Sequence, residues 1–456
     1  MMPKIAIIEK ENFSKWFKTL FYAVFVFYII SWLFTIYLSN IQIKNGLEPV
    51  LPVVPKDSEE YKNLADSMLL GRGFYQDGQF DTLRAPGYPT FVASLKYVGG
   101  SYFLVTLIQI LLVFFSVIII RRLGAVFYSE KAGEMAGAIF LLNPLVLALA
   151  LIILTDILFL FLFLLGFYLA FSNNGSKTKI IGAGLLFALA IYVRPMGIFA
   201  LPIFVAPFLV SKLSVKAKIK SLVAMIFIVL IAVAPWVYRN YKLTGVADFT
   251  SFKAINLAFY AAPMFLANQN QTTAEVERTN IANELKIPAN EWRNLKYAKP
   301  VSHFAERIIL EHPFAYLKYH ITSSLPFLFS SSIQDALTTY KSAMHTKDKF
   351  QPGAIKYLAS GEWNLFFESV TAVWWKIAER IILMIIYVVA IWGVWQEKNK
   401  LKTWAFLFIP AYLMMLAGPA GGARYAVQAL PFILILFAVG LLYIKEKFVN
   451  NYLFKR

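Results

Sequence analysis

Two aspartates in this sequence are placed where a carboxylate could act on a substrate. Asp57 lies in PKDSEEYKNLADSMLLGRGF (55–74), a polar stretch between two apolar regions, and Asp156 lies in IILTDILFLF (152–161). A carboxylate beside an apolar run is costly to keep and is therefore a candidate for proton transfer. Each also has a structural alternative, because Asp57-Ser-Glu-Glu60 has the form of a capping box and Asp156 could cap the following helix together with Thr155.

Four arginines supply the complementary charge. Arg84 lies in LRAPGYP, Arg194 in YVRPMG, Arg239 in PWVYRNY and Arg424 in GGARYAVQALPF. A guanidinium group binds phosphate in a bidentate manner, so a group of arginines on one surface predicts a phosphate-containing ligand. For any one of them alone, a side chain that reaches a lipid headgroup is the simpler explanation.

Apolar segments dominate the elements that must position these residues. Of the 456 residues, 59% are hydrophobic and 15% are charged, whereas soluble domains are about half apolar and about a quarter charged. Segments of about 20 apolar residues, enough to cross a bilayer, recur along the chain. We therefore predict an all-α polytopic membrane protein with about ten transmembrane helices. The predicted spans are 17–39, 101–120, 133–152, 156–171, 179–193, 196–210, 221–238, 372–395, 403–417 and 424–444.

Lysine and arginine are distributed unequally between alternate connections of these spans. On one side, the basic residues are Lys4, Lys10, Lys15, Lys18, Arg121, Arg122, Lys131, Lys177, Lys179, Lys212, Lys216, Lys218, Lys220, Lys398, Lys400, Lys402, Lys445, Lys447, Lys455 and Arg456. The short connections of the other side contain only Arg194 and Arg424. The positive-inside rule then places both termini in the cytoplasm, and the segments 40–100 and 239–371 outside the plasma membrane. Both aspartates fall on that outer side.

The formal net charge of +18 follows from this topology, because the positive residues lie mostly in short loops between apolar runs. We therefore predict no nucleic-acid partner.

The polar stretch that contains Asp57 has helical periodicity. Its apolar residues follow i, i+3, i+4, i+7, i+8 spacing, at Tyr61, Leu64, Ala65, Met68 and Leu69. This pattern predicts an amphipathic helix along the membrane surface, which ends at Gly71 and Gly73. A second amphipathic stretch, 303–320, contains Pro313 and predicts two short helices on the same outer surface.

Local sequence contains no metal or cofactor motif. There is no cysteine, and His303, His312, His320 and His345 are eight residues or more apart, unlike zinc-binding sequences. We predict that no cofactor is required. A divalent cation held by Asp57, Glu59 and Asp156 is the alternative, although several arginines nearby would make it redundant.

Several short motifs resemble, in their order, those of the GT-C class of membrane glycosyltransferases. These motifs are Asp57…Tyr61…Leu64-Ala65, Gly71-Arg72-Gly73-Phe74, Arg84-Ala85-Pro86-Gly87-Tyr88-Pro89, Thr155-Asp156, Val193-Arg194-Pro195, Pro235-Trp236-Val237-Tyr238-Arg239-Asn240, and Arg424-Tyr425 with Pro431. The sequence is most similar to the bacterial branch of protein O-mannosyltransferase-like and aminoarabinose-transferase-like enzymes, over roughly residues 15–445. It departs from that branch in two places. The family often has Lys-Pro-Pro at Arg84-Ala85-Pro86, and it commonly has glutamate at Asp156.

The resemblance implies a GT-C domain over residues 1–445, with two juxtamembrane helices in the first external loop, and a basic cytoplasmic tail at 446–456. It implies a sugar donor linked to polyprenyl monophosphate, and an acceptor that is a lipid, a glycan or a protein. The active site would face the periplasm or exterior, in contact with membrane lipids. Asp57 takes the place of the family's catalytic aspartate, and Arg84 that of a basic residue at the donor phosphate.

An inverting transfer of a hexose or pentose would use these residues in distinct roles. Asp57 is the predicted general base, Arg84 the phosphate clamp, and Arg424 and Arg239 are further candidates for the phosphate. Asp156 would orient the acceptor or support the base. The predicted substrate cleft consists of Tyr61, Tyr88, Arg194 and Tyr425.

Two other functions stay open at this point. One is an O-antigen ligase or polymerase that moves a diphosphate-linked glycan. The other is a lipid or solute transporter without catalysis, although a transporter would place its polar sites near the middle of the membrane rather than at one face.

Overall fold

The computed structural model describes residues 14–453 apart from 48, 50–51, 54–55, 77, 344–362 and 398–399. His345 and the basic residues Lys4, Lys10, Lys398, Lys455 and Arg456 lie outside the described residues. Within the described part, the chain is almost entirely helical and has one short antiparallel hairpin, in which Tyr75 pairs with Phe80.

The N-terminal part of the chain, up to residue 210, contains nine helices among its described residues. These elements are α1 (Lys15–Lys44), α2 (Lys56–Leu69), β1 (Tyr75–Gln76), β2 (Gln79–Phe80), α3 (Gly87–Gly99), α4 (Phe103–Phe127), α5 (Glu130–Leu141), α6 (Pro144–Ala150), α7 (Thr155–Phe171), α8 (Lys177–Val193) and α9 (Leu201–Val210). A 3₁₀ turn, Pro195–Ala200, joins α8 to α9.

The remaining elements alternate long apolar helices with shorter helices of the second long loop. They are α10 (Val215–Thr244), α11 (Phe252–Ile255), α12 (Ala262–Asn270), α13 (Ala274–Leu285), α14 (Ala298–Glu311), α15 (Pro313–Ser323), α16 (Pro326–Phe329), α17 (Ser332–Ala343), α18 (Trp363–Gln396), α19 (Lys400–Ala417), α20 (Ala423–Ala426) and α21 (Leu430–Leu453). A π-helical turn, Asn256–Ala261, joins α11 to α12, and 3₁₀ turns occupy Ala289–Arg293, Leu295–Tyr297 and Gly418–Ala420.

Four described helices are long and apolar enough to cross a membrane, namely α1, α4, α10 and the Trp374–Gln396 part of α18. Three more predicted spans correspond to shorter apolar helical segments, Thr155–Phe171, Pro195–Val210 and Thr403–Ala417. The prediction of an all-α polytopic membrane protein is thus confirmed. The count of ten spans stays a prediction.

The predicted span 133–152 is not one straight helix. The structure divides it into α5 and α6, which are bent by 65° relative to each other. The side chain of Asn143 accepts hydrogen bonds from the backbone N–H groups of Leu145 and Val146, and so begins a new helix. Pro144 has no N–H to donate and cannot continue α5.

Helix α7 lies at the centre of the bundle, packed against α4 and α8. Its side chains are buried around its whole circumference, and Phe159, Phe163 and Phe167 are almost inaccessible. By contrast, few of the apolar side chains of α1 and α10 are buried, and most are half-buried or exposed, as in helices that face lipid. A charged residue on α7 must therefore find its partners within the protein.

The loop between α1 and α4, which is the predicted first external loop, contains the two helices that the resemblance implies, α2 and α3. On α2, the predicted apolar residues Tyr61, Leu64 and Ala65 are buried, whereas Leu69 is 38% exposed at the end of the helix. The chain then turns through Gly71 and Gly73, both at φ +73°, which confirms the predicted stop.

A second, smaller core joins this loop to the second long loop. Leu83 of the first loop packs with residues of α11, α12 and α14, and Trp292 is completely buried among them. The predicted break at Pro313 is confirmed, since α14 ends at Glu311 and α15 begins at Pro313. The two loops therefore form one packed layer over one end of the bundle.

Candidate active site

Asp57 lies in the first turn of α2 and binds two arginines. Its Oδ1 accepts a hydrogen bond from Arg84 Nη2 at 2.7 Å, and its Oδ2 accepts one from Arg424 Nη1 at 3.1 Å. Burial acts to raise the pKa of Asp57, but the two guanidinium groups outweigh it and lower that pKa to about 2. This low pKa keeps the carboxylate ionised. The side chain is 37% exposed, so it is within reach of a substrate.

The capping alternative for Asp57 does not account for this geometry. Helix α2 begins at Lys56, so Asp57 lies inside the first turn, and each of its oxygens faces an arginine from a distant segment. A negative side chain in the first turn still interacts favourably with the helix dipole.

Arg84 is fixed from three directions. Its Nη2 binds Asp57, its Nε donates to Glu60 Oε2 at 2.8 Å, and its Nη1 donates to the Tyr61 hydroxyl at 3.2 Å. Asp57 and Glu60 are three residues apart on α2 and therefore lie on one face of the helix. One face of α2 thus holds the guanidinium group through two carboxylates and one phenol.

Gly87 sets the position of the segment that contains Arg84. A Cβ atom at Gly87 would lie only 2.6 Å from the carbonyl oxygen of Tyr192, near the end of α8. The start of α3 can therefore pack against the end of α8 only with glycine at this position. This contact brings Arg84, before α3, into the neighbourhood of Arg194, which directly follows α8.

Asp156 lies in the first turn of α7 and is completely buried. Its Oδ1 accepts from Arg194 Nη1 at 2.5 Å, and its Oδ2 accepts from Arg424 Nε at 3.0 Å. No side chain caps α7, so the capping alternative does not explain this aspartate. Gln428 lies beside this ion pair. In the amide orientation that satisfies both its oxygen and its nitrogen, it donates to the Tyr425 carbonyl at 2.6 Å and accepts from Arg194 Nη1 at 3.2 Å.

Arg424 connects the two aspartates, because its Nη1 binds Asp57 and its Nε binds Asp156. At the other end of the row, Arg293 donates two hydrogen bonds to Glu60, at 2.9 and 2.7 Å. We call this continuous row of alternating charges the charge network: Arg293, Glu60, Arg84, Asp57, Arg424, Asp156 and Arg194. It contains four guanidinium groups and three carboxylates, so the network carries a positive surplus.

Three members of the site were missed by sequence reasoning. Glu60 had a usable signal, since it is three residues from Asp57, but it was assigned to the polar face of the helix. Gln428 follows Arg424 by four residues, a spacing that places two side chains close together in helical backbone. Arg293 carries no local signal, because it is one of many basic residues in a long loop whose folding alone brings it to Glu60.

The predicted cleft residues have different surroundings. Tyr61 lies under Arg84, with the guanidinium carbon 5.0 Å from its ring centre. Tyr425 lies within 5.3 Å of Arg194 and 6.0 Å of Arg424, measured in the same way. Tyr88 is fully buried behind Tyr61 and donates to Gln109 Oε1 at 2.6 Å, so it supports the wall of the site.

Arg239 is not part of the charge network. Its Nη1 donates to the Asp81 carbonyl at 3.0 Å and to Asn240 Oδ1 at 2.8 Å. Its guanidinium carbon also lies 4.4 Å from the ring centre of Trp236. These contacts hold the hairpin of the first loop in place.

Two carboxylates of the alternative cation site, Asp57 and Asp156, are paired with arginines in this structure. Each oxygen of Asp57 and Asp156 already faces a guanidinium group. Among the described residues, no three acidic or histidine side chains come together as a metal site would require.

Comparison with known proteins extends the likeness from motifs to the fold. No protein-family model and no curated protein sequence matches the chain. Among solved structures, the chain is similar to the archaeal oligosaccharyltransferase AglB from Archaeoglobus fulgidus in complex with an inhibitory peptide and a dolichol-phosphate, with a TM-score of 0.51 and 13% identity over 95% of this chain and 51% of that one. The apo form of the same enzyme gives a TM-score of 0.51 and 12% identity, over 97% of this chain and 52% of that one.

The chain thus spans about half the length of the archaeal enzyme it matches. ArnT from Cupriavidus metallidurans bound to undecaprenyl phosphate gives a lower TM-score of 0.40, with 11% identity over 91% of this chain and 76% of that one. The match to the archaeal structure agrees with the order of the motifs and with the arrangement of the helices. The chain therefore has the GT-C fold, as the resemblance implies.

Proposed function

We propose that the protein is an inverting glycosyltransferase, which moves a sugar from a polyprenyl-monophosphate donor to an acceptor at the outer face of the membrane. One observation carries this proposal: Arg84 and Arg424, two partly exposed guanidinium groups from remote segments, converge on the exposed carboxylate of Asp57. Such a group can bind a phosphate and accept a proton within one small space. The match to a structure that contains dolichol-phosphate supports a polyprenyl carrier.

The donor phosphate is the natural ligand for the positive surplus of the charge network. Arg84 is 19% exposed and Arg424 is 23% exposed, so both can turn part of their guanidinium groups toward a ligand. The phosphodiester of the donor, which carries a negative charge, would compete with Asp57 for them. Phosphate is a good leaving group once its charge is stabilised, so arginine alone can assist its departure.

The transfer itself needs one base. The acceptor oxygen or nitrogen forms a bond to the anomeric carbon while the bond from that carbon to the phosphate oxygen breaks, and the electron pair leaves with the polyprenyl phosphate. The acceptor proton passes to a carboxylate oxygen of Asp57. Arg84 and Arg424 balance the negative charge that develops on the phosphate.

Asp156 acts through its neighbours in this mechanism. It is inaccessible to any substrate, and it binds Arg194 and Arg424 at the same time. We therefore assign it the positioning of Arg424, which is the residue that reaches Asp57. Of the two roles that the sequence predicted for Asp156, this is support of the base. Orientation of the acceptor would then fall to more exposed groups.

Donor binding would also make Asp57 a better base. When Arg84 and Arg424 turn to the phosphate, the carboxylate loses part of its positive surroundings and gains a negative neighbour. Both changes raise the pKa of Asp57 from the value of about 2 that it has in the free protein. The base would thus be strengthened only in the presence of the donor.

The experiment is a transfer assay with the purified full chain. Radiolabelled undecaprenyl-phosphate hexose, undecaprenyl-phosphate pentose and an undecaprenyl-diphosphate glycan are offered separately, with cell-envelope lipid, glycan and protein fractions as acceptors. We expect label from a monophosphate donor to reach one acceptor fraction. Use of the diphosphate donor alone would indicate a ligase or polymerase, and consumption of no donor would favour a transporter.

Variants then assign the residues. Asp57→Asn is expected to slow transfer by about 100-fold or more, the contribution of a general base, while Asp248→Asn, an exposed control in the second long loop, keeps the wild-type rate. Arg84→Ala is expected to raise KM for the donor. Wild-type transfer by the Asp57 variant would disprove the assignment of the base, and an Arg84 effect confined to the acceptor would disprove the clamp.

A further inference from the structure

A polar cavity lies beside the charge network, between the hairpin of the first loop and the 3₁₀ turn Ala289–Arg293. Its volume is about 480 Å³, within the range of sites for small ligands. The residues around it are Gln76, Gly78, Gln79, Phe80, Asp81, Thr82, Asn290, Glu291, Arg293 and Asn294. Phe80 is the one apolar side chain among these described residues.

The amide groups of this cavity have unused hydrogen-bonding capacity. Gln76 Oε1 is buried and has no hydrogen-bond partner among the described residues. The side chains of Gln79 and Asn290 line the cavity and are exposed, so their amide groups are open to a ligand. An amide offers both donors and acceptors, as a hydroxyl group does, so these side chains complement a ligand with many hydroxyl groups.

The floor of the cavity is rigid. Thr82 is almost completely buried; its Oγ1 donates to the Arg293 carbonyl at 3.3 Å and accepts from the Leu295 N–H at 2.9 Å. The backbone N–H of Ser251 also donates to the Thr82 carbonyl, at 2.9 Å. Arg239 fixes the hairpin side through the Asp81 carbonyl. A site held in this way loses little entropy when it binds a ligand.

The charge of the lining argues against a second phosphate site. Asp81 and Glu291 bring two carboxylates to the cavity, and its one cationic side chain, Arg293, already donates two hydrogen bonds to Glu60. An anion would therefore meet repulsion that a neutral, hydroxylated ligand would not. A peptide is also a poor match, because peptide sites commonly provide apolar pockets or grooves, and here Phe80 stands alone.

Arg293 connects the cavity to the rest of the charge network. It lines the cavity, binds Glu60, and through Glu60 contacts Arg84, the partner of Asp57. A ligand in the cavity would therefore be connected to Asp57 through Arg293, Glu60 and Arg84. The donor has its own ligands in Arg84 and Arg424, so the cavity is left for the other substrate.

We infer that this cavity binds a saccharide unit of the acceptor, so that the acceptor is a glycan or glycolipid. The identification of this saccharide as part of the acceptor rests on the proposed transfer reaction. Binding of a saccharide in the cavity can be tested without turnover.

The test is saturation-transfer NMR on the purified full chain in detergent. Chitotriose, maltotriose, mannotriose and a serine- and threonine-containing peptide serve as separate probes. We expect saturation of at least one trisaccharide. Asn290→Trp, which fills the cavity from an exposed position, is expected to weaken that binding by about tenfold or more. The matched control, Asn283→Ala, replaces an exposed asparagine of the same loop outside the cavity and is expected to bind as the wild type does.

Absence of saturation for all three trisaccharides, equal binding by the Asn290 variant, or binding of the peptide alone would overturn the inference. A thermal melt of each variant shows whether it is folded, and Gln79→Trp fills the cavity from the opposite wall if Asn290→Trp is unfolded. Asp57→Asn is expected to bind the trisaccharide normally. Trisaccharide binding that depends on Asn290, in a protein that consumes no donor, would disprove the proposed reaction and leave the saccharide site standing.

Discussion

At Asp57, the groups that hold the carboxylate in place also weaken it as a base. Its pKa in the free protein lies near 2, below the ordinary value of 3.8. A lowered pKa means that this group stabilises the fold fully above pH 3.8 and that the stabilisation is lost as the pH falls through 2. In the proposed reaction, the donor would have to draw these arginines away before Asp57 could take up a proton efficiently.

The pH dependence of turnover tests this exchange of partners. The kcat/KM profile for the donor reports groups of the free enzyme, and kcat reports groups of the donor complex. We expect the acidic limb that belongs to Asp57 to lie at higher pH in kcat than in kcat/KM, because bound phosphate raises its pKa. Coincident acidic limbs in the two profiles would contradict this exchange of partners. Asp57→Glu, which keeps a carboxylate at this position, is the comparison variant.

Asp156 offers a prediction about stability. Asp156→Asn removes the counter-charge of Arg194 and leaves Arg424 paired only with Asp57. Breaking a buried ion pair costs about 3–5 kcal/mol. We expect a lower thermal midpoint and a raised KM for the donor, since Arg424 loses its orientation. Asp156→Glu, which keeps the charge and the residue type common in the resembled family, is expected to recover part of both. Unchanged stability and donor affinity in Asp156→Asn would show that Asp156 does not position Arg424.

Removal of divalent ions tests the proposal that transfer needs no metal. Guanidinium groups occupy the carboxylate oxygens that a cation would use. We therefore expect the same transfer rate after dialysis against EDTA and after addition of Mg²⁺ or Mn²⁺. A loss of activity that either ion restores would contradict this proposal.

At the scale of elements, short segments are positioned by close backbone contacts that only small residues permit. Gly87→Ala would place a methyl group 2.6 Å from the Tyr192 carbonyl oxygen. Such overpacking costs about 1–3 kcal/mol, and it would move the Arg84 segment away from α8. We expect a reduced thermal midpoint and a raised donor KM. Gly422→Ala is the matched control, because a Cβ there has no neighbour within 4 Å and its stability should be unchanged.

The elements themselves were largely readable from periodicity and breaking residues. The i, i+3, i+4 pattern of Tyr61, Leu64 and Ala65 gave the buried face of α2, and Pro313 gave the break between α14 and α15. The bend between α5 and α6 was missed, because hydropathy averages over Asn143 and Pro144, whose capping interaction is local. Average apolarity reports burial in a membrane and carries no information on helix direction.

At the scale of the whole molecule, sidedness remains the main prediction from sequence. The chain contains no cysteine, so single cysteines can be introduced without a background. We expect a membrane-impermeant maleimide to label Asn283→Cys in intact cells lacking the outer-membrane barrier, and to label Lys177→Cys only after the membrane is opened. The reverse pattern would place the charge network on the cytoplasmic face and disprove the proposed location.

The sequence by itself determined the membrane class, the motif order that resembles the GT-C enzymes, and the residue types of the chemistry, because hydropathy and local spacing are properties of short segments. Only the tertiary structure decided which charges meet: Arg424 lies 367 positions from Asp57 and Arg293 lies 233 from Glu60. Pairing across such separations depends on how the two loops pack over the bundle, through Leu83 and Trp292 and through the contact at Gly87. Ion pairs form where packing brings opposite charges together out of water. A local sequence pattern does not indicate which distant residues packing will bring together.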